Sequence, residues 1–262
     1  MAGVALIQIA VRDDEPSEMR LKRGLSIAES IARPVDLVMF PELWTVGFFN
    51  FPDYRRLAEP LDGPTAAQFS SLARKGKFWL HGGSIVERSS DGSLYNTSLL
   101  FDPAGERAAS YRKAHLFGYQ SEEKKILSAG DMVSNVETPI GNIGLTTCYD
   151  LRFPELYRSL STRGVEVNLI ASTWPSARLE HWMILTRSRA IENLCYVVAC
   201  NAAGSNRGHA LAGNSMIVDP WGTVVAQAAS EEAVLYGEMN LSSVAEIRDR
   251  FPALRDRREL FQ

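Results

Sequence analysis

The chain has 262 residues, 45% hydrophobic and 23% charged, the balance of an ordinary globular protein and a length that fits one domain over 1–262. With 28 Lys+Arg against 31 Asp+Glu, the formal charge of -3 gives no electrostatic footprint for nucleic acid or an anionic membrane. Three cysteines without framework spacing, and a start that lacks a basic-then-apolar signal pattern, suit a reducing cytoplasm, and no run approaches the roughly 20 apolar residues of a membrane span.

Residues 4–9 form a short apolar run suited to a buried strand. A helix is predicted over 17–32, where Met19, Leu21, Leu25, Ile27, Ala28 and Ile31 fall near helical spacing. A second strand, 36–40, stops at Pro41. Residues 65–75 read as a helix, and 78–87, 97–102 and 108–112 as strands. Strand 142–147 runs into Cys148, and helix 153–163 carries Pro154 in its first turn, where a missing N–H costs nothing. Residues 167–172 are again a strand, 181–193 a helix and 195–201 a strand. Strands 212–219 and 223–228 flank the turn Pro220-Trp221-Gly222, and 233–239 is the last strand. The Arg-rich tail over 248–258, interleaved with Asp249, Asp256 and Glu259, reads as solvated or partner-facing. Hairpins mix with βαβ units, and buried strands with outer helices predict a layered α/β fold.

Three reactive side chains stand where a buried strand runs out, the edge at which open α/β sheets bind ligands. Cys148 follows the strand through Ile143-Gly144-Leu145 and precedes a helix, so its thiol can meet a cleft and the N–H groups of the next turn. A thiol needs a base or a nearby cation to become the nucleophilic thiolate; by itself such a position more often holds an inert core cysteine. Glu42, between Pro41 and Leu43-Trp44, is placed to be that base, and its alternative is a loop carboxylate in a salt bridge. Phe-Pro-Glu-Leu recurs at 153–156, where Glu155 falls in a helix first turn and suits the helix dipole instead. Lys113 precedes the apolar Leu116-Phe117; a fixed ammonium there can stabilise an oxyanion, while a lone lysine is otherwise surface charge.

The strand-end Glu42, Arg112-Lys113-Ala114-His115-Leu116-Phe117 and Cys148-Tyr149-Asp150-Leu151-Arg152-Phe153-Pro154-Glu155, in this order, resemble the nitrilase superfamily of carbon–nitrogen hydrolases. Arg189-Ala190-Ile191-Glu192-Asn193 and Val218-Asp219-Pro220-Trp221-Gly222 also look like blocks of that family, so the likeness covers nearly the whole chain. The resemblance implies a four-layer α-β-β-α sandwich, with Glu42, Lys113 and Cys148 as the catalytic trio. Its second glutamate matches Glu123, with Leu127 and Gly130 at the family spacing and Glu122 as a competitor. In the implied mechanism Glu42 takes the Cys148 proton and the thiolate attacks an amide carbon. Lys113 and the N–H of Tyr149 hold the oxyanion, and a thioester forms and is hydrolysed. A homo-oligomer, at least a dimer, is also implied.

His115 is the obvious partner for a Cys–His pair, but such a pair leaves Glu42 and Glu123 without a task; a structural hydrogen bond is the alternative. His81, His181 and His209 lack metal-ligand spacing, and no Gly-x-Gly-x-x-Gly or phosphate loop is present, so neither a metal nor any other cofactor is expected. Cys195 and Cys200 read as core. Trp174, followed by Pro175, reads as a pocket wall or as core packing; Arg178 and Arg187 are candidate anchors for a substrate carboxylate, although single arginines are more often solvated. Residues 111–131 and Ala245-Glu246-Ile247-Arg248 are similar to omega-amidases, which act on 2-oxoglutaramate or 2-oxosuccinamate. Aliphatic amides and deaminated glutathione stay open as substrates, with N-carbamoyl amino acids and nitriles behind them. The reading from another class is a catalytically silent interaction protein.

Overall fold

The computed structural model describes residues 1–258, so Glu259 lies outside the described residues. Its strands are β1 (Ala2–Gln8), β2 (Ala10–Val11), β3 (Leu37–Met39), β4 (Trp79–Arg88), β5 (Leu94–Phe101), β6 (Arg107–Arg112), β7 (Ser134–Thr138) and β8 (Gly141–Thr147). They continue as β9 (Val167–Ser172), β10 (Tyr196–Asn201), β11 (Ala203–Asn206), β12 (His209–Ala210), β13 (Met216–Val218), β14 (Val224–Gln227) and β15 (Ala233–Met239). The helices are α1 (Ser17–Glu29), α2 (Tyr54–Leu57), α3 (Pro64–Gly76), α4 (Glu123–Ile126), α5 (Pro154–Thr162), α6 (Leu179–Asn193) and α7 (Ser242–Arg250).

Two six-stranded sheets result, ordered β15-β1-β3-β4-β5-β6 and β14-β13-β10-β9-β8-β7. The middle of each is parallel, β1-β3-β4 in one and β8-β9-β10 in the other, and antiparallel strands flank both. Side-chain alternation divides the core into layers. Val4, Leu6, Leu37 and Met39 meet Ile143, Leu145, Val167 and Leu169 between the sheets. Ala5, Ile7, Val38 and Phe40 turn the other way, onto Leu21 of α1 and Phe69 and Leu72 of α3. On the far side, Ile170, Val197 and Val218 pack with Tyr157 of α5 and Trp182 and Ala190 of α6. This is the expected α-β-β-α sandwich. Both faces of each central strand are covered, which is why β1, β3 and β10 read as largely apolar runs, while the glycines and threonines of β8 and Asn168 of β9 interrupt that pattern.

The departures from the predicted elements are local. Helix α1 stops at Glu29, where the Ser30 hydroxyl donates to the Ile27 carbonyl (2.7 Å). Strand β13 spans only three residues because Asn214, at φ 52°, breaks the extended run before it. Strand β7 is an edge strand of polar sequence, so it carries no apolar alternation to read. The start of the Arg-rich tail is corrected: it is helix α7, and Arg248 donates to the carbonyls of Leu194 (2.9 Å) and Val165 (2.6 Å) rather than lying in solvent. No helix among the described residues is long and apolar enough to cross a membrane.

His81 on β4 is fully buried; its Nδ1 accepts the Gly83 N–H (3.2 Å) and its Nε2 has no partner. Burial holds its pKa at about 3, against an ordinary 6.5. The folded chain therefore keeps this imidazole neutral while the unfolded chain protonates it. Stability present above the unfolded pKa is lost as pH falls toward the folded one. Between pH 7 and pH 5 this side chain is expected to cost about 2 kcal/mol, read from urea midpoints. His81→Asn should flatten that slope, and an unchanged slope would contradict the assignment.

Candidate active site

Glu42 stands three residues beyond β3, Lys113 one beyond β6 and Cys148 one beyond β8. The fold brings all three together with Glu123. The Lys113 ammonium, fully buried, donates to Glu42 Oε1 (2.8 Å) and to Glu123 Oε1 and Oε2 (3.0 and 3.1 Å). Burial alone would pull the Lys113 pKa down, but the charges of Glu123 and Glu42 outweigh it and hold the ammonium above its ordinary range. Burial raises Glu123, an effect that Lys113 opposes and the neighbouring Glu42 charge reinforces.

Local structure fixes each carboxylate. Glu42 Oε2 accepts the Thr173 N–H (3.0 Å), and the Thr173 hydroxyl donates to the Glu42 carbonyl (2.6 Å). The turn behind it is tight: Leu43 sits at φ 41°, its N–H held by Ser84 Oγ (3.0 Å). Gly83 lies so close beneath that turn that a Cβ would stand 2.0 Å from the Pro41 carbonyl oxygen. Glu123 opens α4, and its Oε2 accepts the Phe117 N–H (2.6 Å). Glu122 is more exposed and pairs with Lys125 (2.9 Å), away from the cluster. Gly130 donates to the Lys113 carbonyl (2.9 Å) at a spot where a Cβ would meet the Arg112 carbonyl oxygen at 2.2 Å. That contact is a physical reason for a glycine seven residues after Glu123.

Cys148 has φ 47°, a left-handed value that costs a non-glycine residue about 1–3 kcal/mol and persists only where surroundings impose it. Asp150 imposes it. Its Oδ2 accepts the Thr147 N–H (2.9 Å) and the Tyr111 hydroxyl (2.8 Å); its Oδ1 accepts the His115 N–H (3.0 Å) and contacts Nδ1 (2.7 Å). His115 thus faces Asp150 and stacks on Phe153 (3.8 Å between centroids), the structural reading of that residue. Burial pushes the Cys148 thiol above its usual range, the Glu42 charge adds to this, and Lys113 opposes it. The resting sulfur is therefore a thiol, which needs a base to become a nucleophile.

Cys148 opens onto a narrow cleft walled by Phe48, Phe117, Tyr149 and Trp174. Trp174 is both wall and core: it is 2% exposed and its Nε1–H donates to the Arg178 carbonyl (2.8 Å). Arg152 and Arg178 also line the cleft, and neither pairs with a carboxylate among the described residues. Arg187 instead donates to the Gly222 carbonyl (3.1 Å). Among the described residues no group of three or more His, Cys, Asp or Glu could hold a metal ion.

Sequence reading missed Asn96, whose Nδ2 donates to both Glu42 Oε1 (2.8 Å) and Glu123 Oε1 (3.2 Å). It also missed Thr173 and Tyr54, the latter buried against the same cluster with its hydroxyl on the Phe48 carbonyl. One signal was available for Asn96: polar Asn96-Thr97-Ser98 interrupts a strand that is otherwise apolar and buried.

Two sheets face to face between helical layers, with a strained thiol at the strand ends, define a hydrolase of the nitrilase type. The chain belongs to the carbon-nitrogen hydrolase family, whose model matches residues 3–249. It is 42% identical to a 2-oxoglutaramate amidase of Paenarthrobacter nicotinovorans, over 97% of this chain and 89% of that one. It is 35% identical to omega-amidase NIT2 of Homo sapiens, over 97% and 94%. XC1258 from Xanthomonas campestris, a CN-hydrolase superfamily protein, shares the fold with a TM-score of 0.91 at 32% identity, covering 100% of this chain and 98% of that one. The chain is accordingly an amidase, acting on non-peptide carbon–nitrogen bonds.

Proposed function

We propose that the chain hydrolyses the terminal carboxamide of a short 2-oxo acid, 2-oxoglutaramate or 2-oxosuccinamate, to carboxylate and ammonia. The observation that carries the substrate is the guanidinium pair in the cleft. Arg152 and Arg178 both face the small volume above Cys148 without a protein carboxylate between them. Burial, with repulsion from Arg178, holds Arg152 below its ordinary pKa, a condition that an anionic ligand relieves. Curated relatives named for this substrate and for omega-amidase activity support the same reading.

In this reading Glu42 accepts the Cys148 proton as the thiolate attacks the amide carbon. The oxyanion is held by the Lys113 ammonium and the Tyr149 N–H, which belongs to the first turn of the short 3-10 helix and has no intrahelical partner by position. Glu42 returns the proton to the nitrogen as ammonia leaves. It then takes a proton from the water that opens the thioester, and the carboxylic acid departs as Sγ regains its hydrogen. Glu123 and Asn96 fix Lys113 and Glu42 for these transfers.

Ammonia release is to be compared across 2-oxoglutaramate, propionamide, a carbamoyl amino acid and a nitrile. 2-Oxoglutaramate should be preferred. Arg178→Ala should raise its KM by about 10- to 100-fold, the worth of a charge-assisted hydrogen bond, and leave propionamide unchanged. Equal losses on both amides would remove the carboxylate assignment. The exposed apolar residues Ile184, Ile191, Trp221 and Phe251 support a second copy of the chain as partner, and three free thiols support a cytoplasmic setting.

A further inference from the structure

Ser172 ends β9, and the parallel register that pairs Thr147 of β8 with Ala171 places it beside Cys148. Along β9, Val167, Leu169 and Ala171 enter the core between the sheets, while Ile170 joins the cluster that contains Cys148. Ser172 shares the side of Ile170. Its hydroxyl is fully buried and has no hydrogen-bond partner, although nearly all buried polar groups have one. An orphaned donor beside a nucleophile is a feature in need of a cause.

We propose that Ser172 is a further catalytic residue, whose hydroxyl donates to Cys148 Sγ when that sulfur carries charge. A thiol is a weak acceptor and a thiolate a strong one, so the bond is worth little at rest and most as the S–H proton passes to Glu42. It weakens when sulfur is bonded to the acyl carbon. It returns as the carbon–sulfur bond of the thioester breaks and the electron pair goes back to sulfur. An interaction stronger in the charged state than at rest lowers the barrier in both halves of the reaction. Burial raises the thiol, and although the Ser172 hydroxyl makes no hydrogen bond of normal geometry at rest, it stands near enough to the sulfur to lower it, as the Thr173 N–H does. The other titratable groups that act on this sulfur or feel its charge are Glu42, Lys113, Arg152, Tyr54 and Tyr157, and all are left intact by a change at Ser172.

The inference rests on Cys148 being the nucleophile. The test follows kcat/KM for 2-oxoglutaramate and the rate of Cys148 alkylation by iodoacetamide, both against pH. Ser172→Ala should slow both by about 10- to 100-fold and move their acid limbs up by about one pH unit, while Ser172→Thr stays near wild type. Ser172→Ala that alkylates along the wild-type pH profile overturns the proposal, whatever its melting temperature. If the alanine variant does not fold, Ser172→Val against Ser172→Thr makes the same comparison at matched shape. Cys148→Ala that still releases ammonia removes the underlying reading; an inactive Cys148→Ala beside a wild-type-like Ser172→Ala removes only this one.

Discussion

Cys148→Ala is expected to abolish ammonia release, by on the order of 10⁴-fold or more, since no other group can form the acyl intermediate. The fold should survive. The substitution removes one sulfur from a site bordering a cleft, leaves the Asp150 bonds that hold the turn, and keeps a non-glycine residue at the same left-handed φ. Circular dichroism and a melting temperature within a few degrees of wild type would separate lost chemistry from lost structure. Cys195 and Cys200 are fully buried in core clusters, so retained activity in Cys148→Ala could not be transferred to either and would end the thioester mechanism.

Lys113→Met should damage both activity and stability. It leaves Glu42 and Glu123 buried, close together and without their cation, and breaking one partner out of such a pair typically costs about 3–5 kcal/mol. For a chain of this size that is a fall in Tm on the order of 10 °C. Turnover should fall by ~10²–10³ or more through the lost oxyanion donor. The damage should depend on pH in a defined sense. Burial already raises Glu123, and removing Lys113 removes a cause that lowers it. A carboxyl whose folded pKa lies above its unfolded one favours folding in acid and loses that contribution as pH rises through the folded pKa. The stability gap between variant and wild type should therefore be wider at pH 8 than at pH 5. Lys113→Met with Glu123→Gln should recover part of the stability and none of the activity. A single variant as stable as wild type at pH 8 would show that the buried charges are paired in some other way.

The layered fold was legible because its central strands are covered on both faces, so 4–9 and 167–172 read as largely apolar runs with clear ends. The positions of Glu42 and Cys148 just beyond buried strands were legible for the same reason, whereas Lys113 follows β6, a polar and partly exposed edge strand, and was placed by its motif. Elements whose stability comes from elsewhere were not: β7 is held by its partner's ladder, and α7 by Val244 and by the Arg248 bonds to distant carbonyls.

Sequence by itself therefore determined a layered α/β fold, the strand exits and the residue types capable of amide chemistry, because those follow from local periodicity and from side-chain chemistry, while the four-layer sandwich was implied only by the resemblance to the carbon–nitrogen hydrolases. Only the tertiary structure decided that Glu123 rather than Glu122 meets Lys113, that Asn96 bridges both carboxylates, and that Ser172 ends beside the thiol without a partner. Each of those contacts depends on strand register or helix phase, which local periodicity along the chain does not reveal.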